Sequence, residues 1–174
     1  MSDSTLLVAC FACGGLFPDH DGPTHRYLES SAGCAAACGE LFARHYSHMD
    51  YFADVYRLAN DAYALQHPGR PSPQTIGSAG VHLIRLCLTF EHGLRPEQAN
   101  AAVLAAGRRK REFFWLAPPA SPDWITVADF RGVGEGEDHK KLIRDWALSV
   151  WEAWQEHHAT IRSWLPERWA TSNA

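Results

Sequence analysis

Cys10-x-x-Cys13 and Cys34-x-x-x-Cys38 form two close cysteine pairs, with His25 between them. A two-residue gap lets one tight turn aim both thiolates at a single ion, and a three-residue gap on a helix stacks two side chains on one face. Three or four sulfurs, completed by Cys38 or by His25, would make a closed tetrahedral site of the kind zinc prefers. Two competing readings are weaker. Small buried cysteines are ordinary core residues, which is how Cys87 reads, and a redox Cys-x-x-Cys normally sits at a helix start after a strand, a setting absent here.

Asp61, His67 and His82 form a second polar group among apolar helices. A carboxylate with two imidazoles, joined by His157 or His158 from the last helix, suits a second, catalytic ion, zinc or iron, with open coordination positions. The same residues suit metal-free acid–base chemistry, with Asp61 orienting a histidine base. The structural alternative is that Asp and His cap helix ends or hydrogen-bond within the core. His45, His48, His92 and His139 read as surface residues.

Those side chains must be positioned by helices. Periodicity predicts helices at about 33–48 after a Ser30 or Ser31 cap, 51–66 after Asp50, 74–91, 96–111 opened by Pro96, and 138–165. Their apolar stripes include Val55, Leu58, Leu83, Phe90, Val150 and Trp154. His67-Pro68-Gly69 stops the second helix, residues 113–119 read as an extended apolar run closed by prolines, and the stretch 132–137 (GVGEGE) reads as a loop. That loop is no phosphate cradle, lacking a following Lys-Ser or Lys-Thr and a preceding strand. Residues 1–30 are rich in Gly, Pro, Asp and His, and only Leu6–Phe11 could make a short strand or an extended arm. So polar a segment needs a clip, and a bound metal supplies one. The expected fold is mainly α: a single domain over 1–174, with a zinc-clipped arm (1–30), a bundle of about five helices (31–165) and a tail (166–174).

The composition narrows the partners. A chain of 174 residues that is 46% hydrophobic has material for a core. A net charge of −4 and a pI near 6.2 argue against nucleic-acid binding, which needs a basic surplus. The single basic run, Arg108 to Arg111, reads as a solvated helix end, with an anion site as the lesser reading. No stretch is long and apolar enough for a signal peptide or a membrane span, so a cytoplasmic location without membrane contact is expected. A reducing compartment favours metal-bound over disulfide-bonded cysteine. The aromatic surplus fits a core, or else the wall of a ligand pocket.

The segments Cys10-x-x-Cys13-Gly14, residues 21–27 (DGPTHRY), 61–69 (DAYALQHPG), 81–83 (VHL) and 146–151 (WALSVW), followed by Trp154 and His157-His158, together resemble an uncharacterised bacterial family of domains of unknown function. The resemblance spans almost the whole chain and implies no activity. The chain departs from the family pattern at Ala35 and Cys38, where aromatic residues are usual, and at Tyr56, where His is usual. The departure at Cys38 favours His25 as the fourth ligand.

Two functions follow from these residues. The first is a small metal-dependent hydrolase or lyase acting on a small molecule through Asp61, His67 and His82. The second is a non-catalytic, zinc-stabilised module with a Trp-rich groove for a ligand or peptide.

Overall fold

The computed structural model describes residues 6–106, 112–120, 123–165 and 169. The architecture is mainly helical. A two-stranded antiparallel hairpin, β1 (Leu7–Ala9) and β2 (Leu16–Pro18), pairs Val8 with Phe17. Seven α-helices follow among the described residues: α1 (Ala32–Tyr46), α2 (Met49–Asp54), α3 (Tyr56–Gln66), α4 (Pro73–Phe90), α5 (Pro96–Ala106), α6 (Glu137–Ala153) and α7 (His158–Ser163). A 3₁₀ turn at Val127–Phe130 precedes α6, and another at Gln155–His157 precedes α7.

The helix starts are written in local chemistry. The Ser31 hydroxyl accepts from Cys34 N and caps α1. Ser72 and Thr75 form a reciprocal capping box at α4, with Pro73 in its first turn. Two helices expected to be continuous are broken. The predicted 51–66 helix divides at Val55 (φ −130°), which is wholly buried, so that packing overrides local continuity. The predicted 138–165 helix ends at Ala153, because Trp154 leaves helical geometry to enter the core at 1% exposure. The basic run 108–111 lies outside the described residues.

Helix α3 is the centre of the bundle and packs against both α4 and α6. Its apolar face meets Leu83 and Leu86 of α4 and Ile143, Trp146 and Val150 of α6, all buried. The Trp146 indole donates to the Gln66 side chain, which in turn donates to the Ile125 carbonyl, tying α6, α3 and the 113–130 segment together. Gly80 in α4 leaves room for Phe113, since a Cβ there would lie 2.5 Å from the ring. Of the six stripe residues, five are fully buried and Phe90 is half-buried. The tryptophans near the end of the described chain are core: Trp146, Trp151, Trp154 and Trp164 are buried.

The expected lone strand is half of a hairpin, and the hairpin is seated on α1. Gly33 lets the two meet, because a Cβ at that position would lie 2.4 Å from the Pro18 carbonyl. No helix among the described residues is long and apolar enough to cross a membrane.

Candidate metal centre

Three separate elements converge on one buried point. The turn between β1 and β2 brings Cys10 and Cys13 together: Gly14 N donates to Cys10 O, and Cys10 N donates to Gly15 O, both at 2.8 Å. Gly14 takes φ +77°, a conformation that favours glycine. The first turn of α1 contributes Cys34. The C-terminal end of α3 contributes His67, which leaves helical geometry at φ −132° just before Pro68 and Gly69. Gly69 (φ +69°) then turns the chain tightly under the Tyr27 carbonyl.

The Sγ atoms of Cys10, Cys13 and Cys34 and one nitrogen of His67 all lie within 4.8 Å of one another, and all four residues are buried. Cys13 Sγ is 3.8 Å from Cys34 Sγ, far too long for a disulfide. His67 Nε2 is 3.6 Å from Cys10 Sγ and 3.5 Å from Cys34 Sγ. The surroundings prepare the donors. His67 Nδ1 donates to Tyr63 O at 2.7 Å, Ser31 N donates to Cys10 Sγ, and the Trp124 indole donates to Cys13 O. Cys34 also sits at the positive end of the α1 dipole.

Three thiols this close together perturb one another strongly. Donation from Cys13, then Cys34, holds the Cys10 thiol far below its ordinary value. Its hydrogen bond with Cys10 is the main reason Cys13 is pushed up to about 12, and the same interaction, with burial, raises Cys34. A divalent cation would hold all three as thiolates and release their protons. The group could hold a metal ion.

The predicted fourth donor is corrected. Neither Cys38 nor His25 joins the group. Cys38 lies one turn further along α1, 3% exposed in the apolar core, where burial raises its pKa. His25 is exposed, and its Nδ1 accepts from the backbone of Tyr27 and Leu28. The residue that joins the three cysteines is His67, at the helix stop of the 61–69 segment. A histidine that ends a helix just before Pro-Gly can aim its ring outward from a fixed backbone, and that was the available signal.

His67 is thereby separated from the other predicted catalytic residues. Asp61 and His82 do meet: His82 Nδ1 is 2.7 Å from Asp61 Oδ1. Arg85, one turn along α4, completes the group, its Nε and Nη2 donating to the same carboxylate at 2.6–2.8 Å. Asn100 of α5 accepts from Arg85 and from Arg57, so the network spans α3, α4 and α5. His157 and His158 are elsewhere. His157 Nε2 donates to Ala117 O beside a surface cleft that it shares with Pro118 and Glu156. His158 stacks on Trp151 at 3.6 Å and donates to its carbonyl.

Two of the expected surface histidines, His45 and His139, are fully buried, with their Nε2 atoms 2.9 Å apart. Sequence periodicity missed this contact because the partners lie on α1 and α6.

A cavity of about 370 Å³ opens between β2, α1 and the 3₁₀ turn, with Gly33, the residue before Cys34, in its lining. Phe17, Ala37, Leu41 and Phe130 form its apolar lining, while Arg44 and Arg131 bring positive charge and Glu40 negative charge. Both arginines also brace the walls: Arg131 donates to Leu16 O and Arg44 to Val133 O.

Fold and site together define a helical protein whose N-terminal hairpin carries half of a buried Cys3His group that could hold a metal ion. The chain belongs to the family of unknown function DUF5946, whose model matches residues 8–155 and so includes all four donors. No curated protein and no solved structure matches it.

Proposed function

We propose that this is a non-catalytic zinc protein, in which a structural zinc held by Cys10, Cys13, Cys34 and His67 fixes the hairpin onto α1 and so maintains a groove for a small ligand. The observation that carries this reading is the donor geometry. A tetrahedral zinc with sulfur at about 2.3 Å and nitrogen at about 2.0 Å separates two sulfurs by about 3.8 Å and a sulfur from the nitrogen by about 3.5 Å. The separations here are 3.8 Å for Cys13 and Cys34, and 3.5 and 3.6 Å from His67 to Cys34 and Cys10. Four protein donors close the coordination shell and leave no position for a substrate. The role that remains is to order a segment with little core of its own: Leu7, Val8 and Leu16 are exposed, and Phe17 is the hairpin's buried apolar anchor.

The groove depends on that clip, because Phe17 and Pro18 form one wall and Gly33, Ala36 and Ala37 another. An apolar floor with two guanidinium groups against the single carboxylate of Glu40 suits a small molecule with an apolar body and an anionic group. Zinc analysis of the purified chain tests the first half: one tightly held ion is expected, and none in Cys13→Ser, whose hairpin becomes open to proteolysis. The probe 8-anilinonaphthalene-1-sulfonate, apolar and anionic, tests the second. Saturable one-site binding should be lost in Ala37→Trp, which fills the groove; unchanged binding by that variant refutes the groove.

An enzymatic reading rests on the 2.7 Å Asp61–His82 bond, the arrangement of a carboxylate-oriented base. It ranks second because the Arg85 cation shares the carboxylate and the pair lines neither cavity described above.

A further inference from the structure

The C-terminal end of α4 carries a second cluster. Cys87, Glu91 and His92 place one sulfur, one carboxylate oxygen and one ring nitrogen within 4.8 Å of one another. The spacing explains the convergence: positions i and i+4 share a helix face, and His92 is the first residue past Glu91, where the chain leaves the helix. Gly93 (φ +64°) turns the backbone, and Leu94 N closes the turn on Leu88 O, so the residue after His92 is fixed. Cys87 is fully buried, and Glu91 and His92 are partly buried.

We propose that Cys87, Glu91 and His92 bind a second divalent cation of the zinc class, exchangeable and with one coordination position open to water. Sulfur, nitrogen and oxygen are the donors zinc accepts, and three protein ligands are the number found where the ion must also meet a small molecule. The end of α4 favours a cation as well, because the last carbonyls of a helix carry partial negative charge.

A second imidazole faces the cluster. His158 spends its Nε2–H on the Trp151 carbonyl, and its Nδ1 lies 3.7 Å from Glu91 Oε1. With the proton on Nε2, the Nδ1 lone pair can replace water on the ion. Arg162 is the competitor, donating to both Glu91 oxygens at 2.7 and 2.8 Å. That fork takes one lone pair on each oxygen, and the Cys87 thiol donates to Oε2 at 3.7 Å; a cation binding here would take the place of that thiol proton, releasing it to solvent. Arg162 is also 45% exposed and can swing into solvent. The neighbouring positive charge weakens cation binding, which is why this ion exchanges while the one in the closed Cys3His group does not.

The test uses the full chain carrying one equivalent of zinc, titrated with cobalt(II). A second ion should bind with a thiolate-to-cobalt absorption band. Cys87→Ala and His92→Gln should each weaken it at least tenfold, while Arg162→Met should tighten it. The zinc bound at Cys10, Cys13, Cys34 and His67 should be unchanged in all three, which separates failure here from failure of the structural zinc. A titration that ends at one metal per chain in both the natural chain and Arg162→Met overturns the proposal. So does a second ion bound equally well by Cys87→Ala and His92→Gln.

Discussion

His67 donates its Nδ1–H to the carbonyl of Tyr63, one turn earlier in α3, at 2.7 Å. That bond places the ring proton on Nδ1 and leaves the Nε2 lone pair pointing at the sulfurs of Cys10 and Cys34. The tautomer a metal requires is thus built into the helix end.

Replacing His67 should therefore be costly at a distance from its own position. His67→Ala removes a ligand, so zinc affinity should fall by more than the roughly 10- to 100-fold that loss of an outer partner causes. Competition with a chromophoric chelator measures the change. The hairpin, more than thirty residues away in sequence, should become protease-sensitive in the same variant.

Cys38→Ala separates spacing from geometry. Cys38 is core and does not share the metal group, so the variant should keep its full zinc content and lose only about 1 kcal/mol of stability through a small cavity. Metal analysis and urea denaturation check both values. Loss of zinc would place Cys38 among the ligands.

Asp61 bonds with both His82 and Arg85 inside the bundle. Asp61→Asn leaves the Arg85 guanidinium without its counter-charge, and breaking a buried pair of this kind costs on the order of 3 to 5 kcal/mol. Replacing both partners, in Asp61→Leu with Arg85→Met, should recover much of that loss. Zinc content should be unaffected in either variant, because the network contributes no metal ligand.

The buried pair His45 and His139 predicts an acid-sensitive contact between α1 and α6. Burial lowers His45 from 6.5 to about 4, and burial is also the main cause of the lower value at His139. A depressed folded-state pKa means that the unfolded chain binds protons first. The stabilisation is complete above about 6.5 and is lost as pH falls toward about 4. For His45 the effect is on the order of 3 kcal/mol. Denaturation midpoints of the natural chain and of His45→Phe, measured at pH 7.5 and pH 5, should differ in slope, with the variant less sensitive. Equal slopes would contradict the assignment.

Much of this architecture was legible in the residue order. Most of the bundle's helical stretches, a serine cap at Ser30 or Ser31, the stop at His67-Pro68-Gly69 and the joining of Cys10, Cys13 and Cys34 follow from spacing, which short-range physics reads well. The errors lie where long-range packing decides. Val55 and Trp154 interrupt helices because the core takes their side chains. His45 and His139 look polar and exposed until α6 is laid against α1. His67 and Asp61 share a helix, yet α3 aims them in different directions, toward the hairpin and toward α4. Cys38 kept apparent ligand spacing because a helix stacks it near Cys34, while the ring at the end of another helix fills the fourth corner.

X-ray absorption at the zinc edge, recorded on the full chain after dialysis against EDTA, tests the central claim most directly. The account predicts one retained zinc with three sulfurs at about 2.3 Å and one imidazole nitrogen at about 2.0 Å. Four sulfurs, a shell dominated by oxygen, or no retained metal would contradict it.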